Sequence, residues 1–278
     1  MKYIISVITS QGYETMKDIW IHNFSLHAPN NMELYFIYGK NDKYQNTVKR
    51  VMGDIYDFYG NHEESFSNIC KKTLDFFEFI NDKHDEYVLL RTNVSTMFNL
   101  PLLKHFMNHM GTFEEFIAGT LISVVFEFKN KYKDEIVMVS GTNLCTSKNI
   151  IEKCIQSRNI IENYVSFGYY EDAAISKFIL QNIKCQTTFT MSRIDIVHRV
   201  ELQQCDDSYN VFCFRFKSND REIDVQRMYE LLRSEFDIKV LKRWVKEINV
   251  VTAVPQRTIN HISLNKKVSE LKKKMIYP

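Results

Sequence analysis

Residues 91–101 read Arg-Thr-Asn-Val-Ser-Thr-Met-Phe-Asn-Leu-Pro and follow directly on the apolar run Tyr87-Val88-Leu89-Leu90. A polar cluster at the end of a buried strand is placed to meet a ligand, because open α/β sheets bind at the carboxyl ends of their strands. Arg91 offers a planar fork that holds two phosphate oxygens at once. Asn93 and Ser95 offer neutral oxygens, which are weak ligands for a hard divalent ion, and both residue types also serve as helix N-caps. Glu171 and Asp172 stand together after the loop-like Phe167-Gly168-Tyr169-Tyr170. Two carboxylates there either complement the dipole of a helix that starts with them or take a proton from a substrate hydroxyl. Arg215, Lys217 and Arg221, around Ser218-Asn219-Asp220, form either a basic loop able to close over phosphates or a solvated turn. His198 follows an apolar strand, and one histidine does not hold a metal by itself.

The elements that must position these groups are legible from periodicity. Residues 3–9 lack charge and are rich in β-branched side chains, which predicts a buried strand. Met16, Ile19, Trp20 and Phe24 repeat at helical spacing, and Leu34 to Tyr38 forms a second apolar strand ending at Gly39. A weaker third strand is expected over Val51 to Tyr59. Ser67 to Ile80 carries Ile69, Thr73, Phe76, Phe77 and Ile80 on one helical face. Strands are expected at 87–91, 116–118, 123–128, 136–139, 194–198 and 211–216, and helices at 100–110, 147–154, 171–180 and 221–236. Pro101 suits a first helical turn. Strands alternating with helices predict an α/β fold with a mostly parallel, mixed sheet flanked by helices. The strand ends Thr9-Ser10, Tyr38-Gly39 and Arg91 to Ser95 are expected to converge on the ligand, with Thr9, Ser10 and Tyr38 in contact with it.

With 278 residues and 45% apolar content, the chain is long enough for one large domain. Six cysteines without close pairing argue against a zinc cluster and a disulfide framework. No apolar run approaches a membrane span and no signal peptide is evident, so a soluble, cytoplasmic protein is expected. Ten of the 36 basic residues but only two of the 34 acidic ones lie in 238–278. Residues 1–237 are thus expected to form the main domain. The segment 238–278 is expected to be a basic appendage, contacting an anionic surface or simply solvated.

The 91–101 segment resembles the β-1,3-galactosyltransferase and Fringe-like families of glycosyltransferases, whose strand ends Lys-Thr-Asp-Asp-Asp and continues to Asn-x-Pro. Arg91, Thr92, Asn99 and Pro101 match or nearly match, while Asn93, Val94 and Ser95 replace the three aspartates. Asn68-Ile69-Cys70-Lys71-Lys72-Thr73-Leu74 is similar to the family's Asn-Leu-Thr-x-Lys-Thr-Leu. Ser140-Gly141-Thr142-Asn143 is similar to the start of its Ser-Gly-Thr-Gly-Tyr segment, and Glu171-Asp172-Ala173-Ala174-Ile175 to its Glu-Asp-Val-x-Val. Together these blocks span about half the chain.

The resemblance implies a Rossmann-like GT-A fold and transfer of a sugar, with inversion, from a nucleotide-sugar donor. The donor is expected to be UDP-linked and the acceptor a glycan or protein hydroxyl. It implies donor contacts from Asn68, Lys72, Arg91, Asn93 and Ser95, an acceptor-side wall of Ser140, Gly141 and Thr142, and Asp172 as general base ahead of Glu171. Loss of the aspartates leaves a divalent ion, manganese or magnesium, weakly held or dispensable; Asn93, Ser95 and His198 are the remaining candidate ligands. The alternative is a nucleotide-sugar-binding pseudoglycosyltransferase with a structural role. A nucleic-acid module acting through the basic tail is a further alternative, although stacking aromatics are not interleaved with its charges. A composition rich in Lys, Asn, Ile, Phe and Tyr is what an AT-rich genome produces, and points to a large DNA virus, hence host cytoplasm, or to an AT-rich microbe.

Overall fold

The computed structural model describes residues 1–128, 132–183, 187–191, 193–196, 212–218, 220–237 and 240. Expectations at His198 and in the basic tail therefore lie outside the described residues, except at Val240. The chain begins β1 (Lys2–Ile8), α1 (Glu14–His27), β2 (Met32–Lys40), β3 (Thr47–Met52), β4 (Ile55–Glu63), α2 (Ile69–Lys83), β5 (Tyr87–Asn93). It continues β6 (Thr96–Phe98), α3 (Leu100–Met110), β7 (Phe116–Gly119), β8 (Leu121–Glu127), β9 (Lys133–Val139), β10 (Leu144–Ser147). Then come α4 (Lys148–Gln156), α5 (Arg158–Phe167), α6 (Glu171–Asn182), β11 (Thr187–Thr190), β12 (Ile194–Ile196), β13 (Cys213–Phe216) and α7 (Arg221–Arg233).

The architecture is mixed α/β. Eight strands form one sheet in the order β11-β7-β10-β5-β1-β2-β4-β3. Strands β5, β1, β2 and β4 run parallel, β11 is parallel to β7, and β3 and β10 are antiparallel to their neighbours. From β1 the chain winds outward to β2 and β4, then returns through α2 to β5 on the other side of β1. The switch point of the topology thus lies between β1 and β5, where parallel sheets leave a crevice for ligands.

Strand alternation assigns the two faces. Tyr3, Ile5, Val7, Val88 and Leu90 join the core under α1, α3 and α7. Ile4, Ile8, Tyr87 and Leu89 join the core under α2, α4 and α6. The period of two then places Arg91 and Asn93 on the α2/α6 face, while Thr92 points the other way. Trp20 is fully buried and its indole N–H donates to the Val94 carbonyl at 3.0 Å, fixing the turn that follows β5.

Several expected elements differ. The weak third strand is a hairpin: β3 and β4 turn at Gly53, whose φ of +47° suits a residue without a Cβ. Asn93 and Ser95 cap no helix, because the chain first forms β6. Asn99 caps α3 instead, its Oδ1 accepting from the Leu102 N–H at 3.3 Å, with Pro101 in the first turn. Ser140 to Asn143 joins two strands rather than a strand and a helix, and β10 and α5 were not expected. The stripe of α5 is thin, with only Ile161 fully buried, so its periodic signal is weak.

Candidate functional site

A cavity of about 560 Å³ lies at the carboxyl ends of β1 and β5, at the switch point. Ile8, Arg91 and Asn93 form its floor, the start of α6 supplies Glu171 and Asp172, and β13 and the residue after it supply Arg215 and Lys217. Phe66, Ile69, Tyr169 and Tyr170 make an aromatic and apolar side. The cavity therefore joins a cationic end, a carboxylate pair and an apolar wall.

Arg91 and Glu171, both buried, form an ion pair in its lining. Arg91 Nε donates to Glu171 Oε1 at 3.2 Å and Nη2 to Oε2 at 2.6 Å. Its Nη1 donates to Asn93 Oδ1 at 2.9 Å and to the Gly141 carbonyl. Thr73 Oγ1 donates to Glu171 at 2.9 Å. Burial pushes the Glu171 carboxyl above its ordinary value, and Arg91 pulls against that shift. Arg91, expected to grip a diphosphate, lines the cavity with its fork turned to Glu171 and with four internal contacts.

Asp172 sits half-buried on the cavity wall. Its Oδ2 accepts from the Gly141 N–H at 2.9 Å and its Oδ1 from the N–H of Ala173 at 3.0 Å. Gly141 is thus clamped from both sides. A Cβ there would lie 2.6 Å from Arg91 Nη1 and 2.6 Å from Asp172 Cβ, so only glycine fits. Ser140 and Thr142 do not face the cavity; their hydroxyls accept from Arg193, the first at 2.8 Å. The expected acceptor-side wall is therefore a buried brace.

Lys72 is 2% exposed and does not line the cavity. It donates to the Thr9 carbonyl at 2.8 Å and pairs with Glu64 at 2.6 Å, while Glu64 also accepts from the Gly39 N–H at 2.7 Å. This lysine laces the ends of β1, β2 and β4 together. Burial pushes its ammonium downward, with Glu64 opposing. Thr9 is buried and Ser10 half-buried, and neither lines the cavity. Tyr38 stacks on Tyr59 at 5.3 Å with the Lys17 ammonium 5.2 Å from its ring. Asn68 donates to the Glu63 carbonyl at 3.0 Å and lines a neighbouring cavity. Ser95 uses its carbonyl to accept from Phe216 N–H at 2.8 Å, which joins the turn after β5 to β13.

Two cations of the expected basic loop do reach the cavity. Arg215 opposes Thr96 in the β13–β6 ladder and points away from the buried Phe214 and Phe216. Its nearest carboxylate oxygen, Asp195 Oδ2, is 4.0 Å away, and Arg193 already holds that carboxylate with Nη2 at 2.9 Å. Burial and the adjacent Arg193 charge hold the Arg215 pKa below the ordinary arginine value. Lys217 is exposed. Arg221 turns aside to Asp224 at 3.0 Å.

Sequence reading overlooked Arg193. The signal was available: Arg193 and Asp195 are two apart on a strand, so they share one side of it.

A divalent cation does not fit these groups. Asn93 Oδ1 and the Glu171 carboxylate are committed to the Arg91 guanidinium, Ser95 is outside the cavity, and Arg215 and Lys217 add positive charge to it. Among the described residues, three or more His, Cys, Asp or Glu side chains do not converge as a metal site, and no helix is long and apolar enough to cross a membrane. No protein-family model and no curated protein matches the chain.

Proposed function

We propose that the chain is a GT-A-like glycosyltransferase that takes a nucleotide-sugar donor, UDP-linked, and transfers the sugar with inversion. The observation that carries this reading is Arg215. It is a half-buried guanidinium on the cavity wall whose nearest carboxylate is held by another arginine, and it shares the cavity with Lys217 and Asp172. An under-partnered cation in a cavity favours an anion, and a diphosphate departing from a sugar is such an anion.

In the reaction, the acceptor hydroxyl attacks the anomeric carbon as the bond from that carbon to the phosphate oxygen breaks. Asp172 takes the hydroxyl proton, and the diphosphate leaves with the bonding electrons. Arg215 and Lys217 neutralise it, the task given to a metal in the families this sequence resembles. The apolar side formed by Ile69 and Tyr169 suits the rest of the donor. Arg91 and Glu171 hold Gly141 and the start of α6, which aims Asp172.

The embedded Arg91–Glu171 pair also favours a second reading, a nucleotide-sugar-binding protein without transfer, because it fills the floor of the cavity with a closed contact. Thermal denaturation with UDP-, GDP- and dTDP-sugars tests both. A ligand that binds the native state raises its melting temperature. A rise with a UDP-sugar that persists with chelator and is lost in Arg215→Ala is expected. Release of UDP only when an acceptor is present separates transfer from binding alone, and no rise with any nucleotide sugar overturns both readings.

A further inference from the structure

A second cavity of about 640 Å³ opens between the first turn of α2 and one side of α5. It shares Ser67, Cys70 and Val165 with the first cavity, so the two make one continuous cleft. Its outer part is lined by the uncharged polar side chains of Asn68, Asn159, Asn163 and Ser166. Asn159 and Asn163 are both exposed and four apart on α5, so their amides are neighbours along the cleft. Next to the shared Ser67, on the wall of the first cavity, Phe66 is 74% exposed and its ring meets Tyr170 edge-on at 6.0 Å.

The lining selects a ligand class. A side-chain amide carries two donors and an acceptor, which matches neighbouring hydroxyls that both donate and accept. An exposed ring supplies an apolar surface for the C–H face of a sugar. An anion would need surplus cations, but the lining holds one cation, Lys71, and one anion, Glu162. An apolar peptide would find only Cys70 and Val165 in this second cavity.

We propose that the second cavity is an extended acceptor subsite that takes a neutral oligosaccharide. The reacting sugar enters the first cavity beside Asp172, and the sugars preceding it lie along Asn163 and Asn159. This deepens the transferase reading and rests on it.

Saturation-transfer NMR on the full chain, with neutral mono-, di- and tetrasaccharides as probes, tests the cleft directly. A tetrasaccharide should receive saturation on more than one ring, and a monosaccharide much less. Asn159→Ala with Asn163→Ala should weaken tetrasaccharide binding about five- to tenfold, the scale of one or two neutral hydrogen bonds. Asn163→Leu, which adds bulk at an exposed helical position, should act in the same direction. In each variant the melting-temperature rise caused by a UDP-sugar should be unchanged, which also shows that the variant is folded. Equal signals for mono- and tetrasaccharide, or unchanged tetrasaccharide binding in both variants, overturn the proposal. A UDP-sugar effect without any saccharide contact overturns the subsite alone. Saccharide contact without any nucleotide-sugar effect overturns the transferase reading and the acceptor role drawn from it.

Discussion

Arg91 and Glu171, eighty residues apart in sequence, meet through two parallel N–H to oxygen contacts in the floor of the cavity. Their separate partners make the pair a junction. Arg91 reaches Asn93 and the Gly141 carbonyl, and Glu171 reaches Thr73 on α2. One ion pair thereby ties β5, the β9–β10 connection, α2 and α6 around one point.

Glu171→Gln is expected to destabilise the fold by about 3–5 kcal/mol, because it leaves the Arg91 charge buried without its counter-charge. Replacing both together, as Arg91→Met with Glu171→Leu, should be much milder than the two single changes summed. Urea denaturation of the four proteins completes the cycle, and strict additivity would show that the pair does not act as a unit.

If the proposed transferase reading holds, Asp172→Asn should lower the transfer rate by about 10²–10⁴, the usual effect of removing a general base. The amide has a single acceptor oxygen and so keeps only one of the two backbone N–H contacts, from Gly141 or from Ala173; a modest drop in melting temperature is expected while the affinity for UDP stays close to the parent. Single-turnover kinetics with matched UDP affinities make the measurement. A parental rate in this variant removes Asp172 from the chemistry.

Arg193 and Asp195 should control anion affinity with opposite signs. Asp195→Asn removes the nearest counter-charge of Arg215 and is expected to tighten pyrophosphate binding about two- to fivefold, the scale of a partly exposed ion pair. Arg193→Gln frees Asp195 to pair with Arg215 and should weaken binding by a similar factor. Calorimetric titration with pyrophosphate reads both. A purely structural role would weaken binding in both variants alike.

Glu33 provides a pH marker remote from the cavity. Burial pushes its carboxyl up, but Tyr35 at 2.6 Å, Lys83 at 2.9 Å and the His84 charge outweigh it and hold the pKa at about 2. Its folded pKa lies below the ordinary 4.5, so its contribution is fully present above pH 4.5 and is lost as pH falls towards 2. Urea midpoints should therefore drop less between pH 5 and pH 3 in Glu33→Gln than in the parent, provided both are measured at about equal ionic strength.

The sequence by itself determined the alternation of strands and helices, the mostly parallel sheet and the end of that sheet where polar residues gather. These follow from local periodicity: Ile4, Leu34 and Leu89 lie in uncharged runs, and α2 and α7 carry apolar residues at helical spacing. Strands β3 and β10 were hidden because their pairing partners, not their own composition, make them strands. The adjacency of Glu171 and Asp172 was visible, but not their division of labour. Only the tertiary structure decided that Arg91 faces Glu171, that Lys72 laces strand ends together and that Arg215 shares its nearest carboxylate, Asp195, with Arg193. Each depends on which distant charge comes within hydrogen-bonding reach. Residue type fixes what a guanidinium can hold; the packing of α6 against β5, and of β13 against β6, fixes what it does hold.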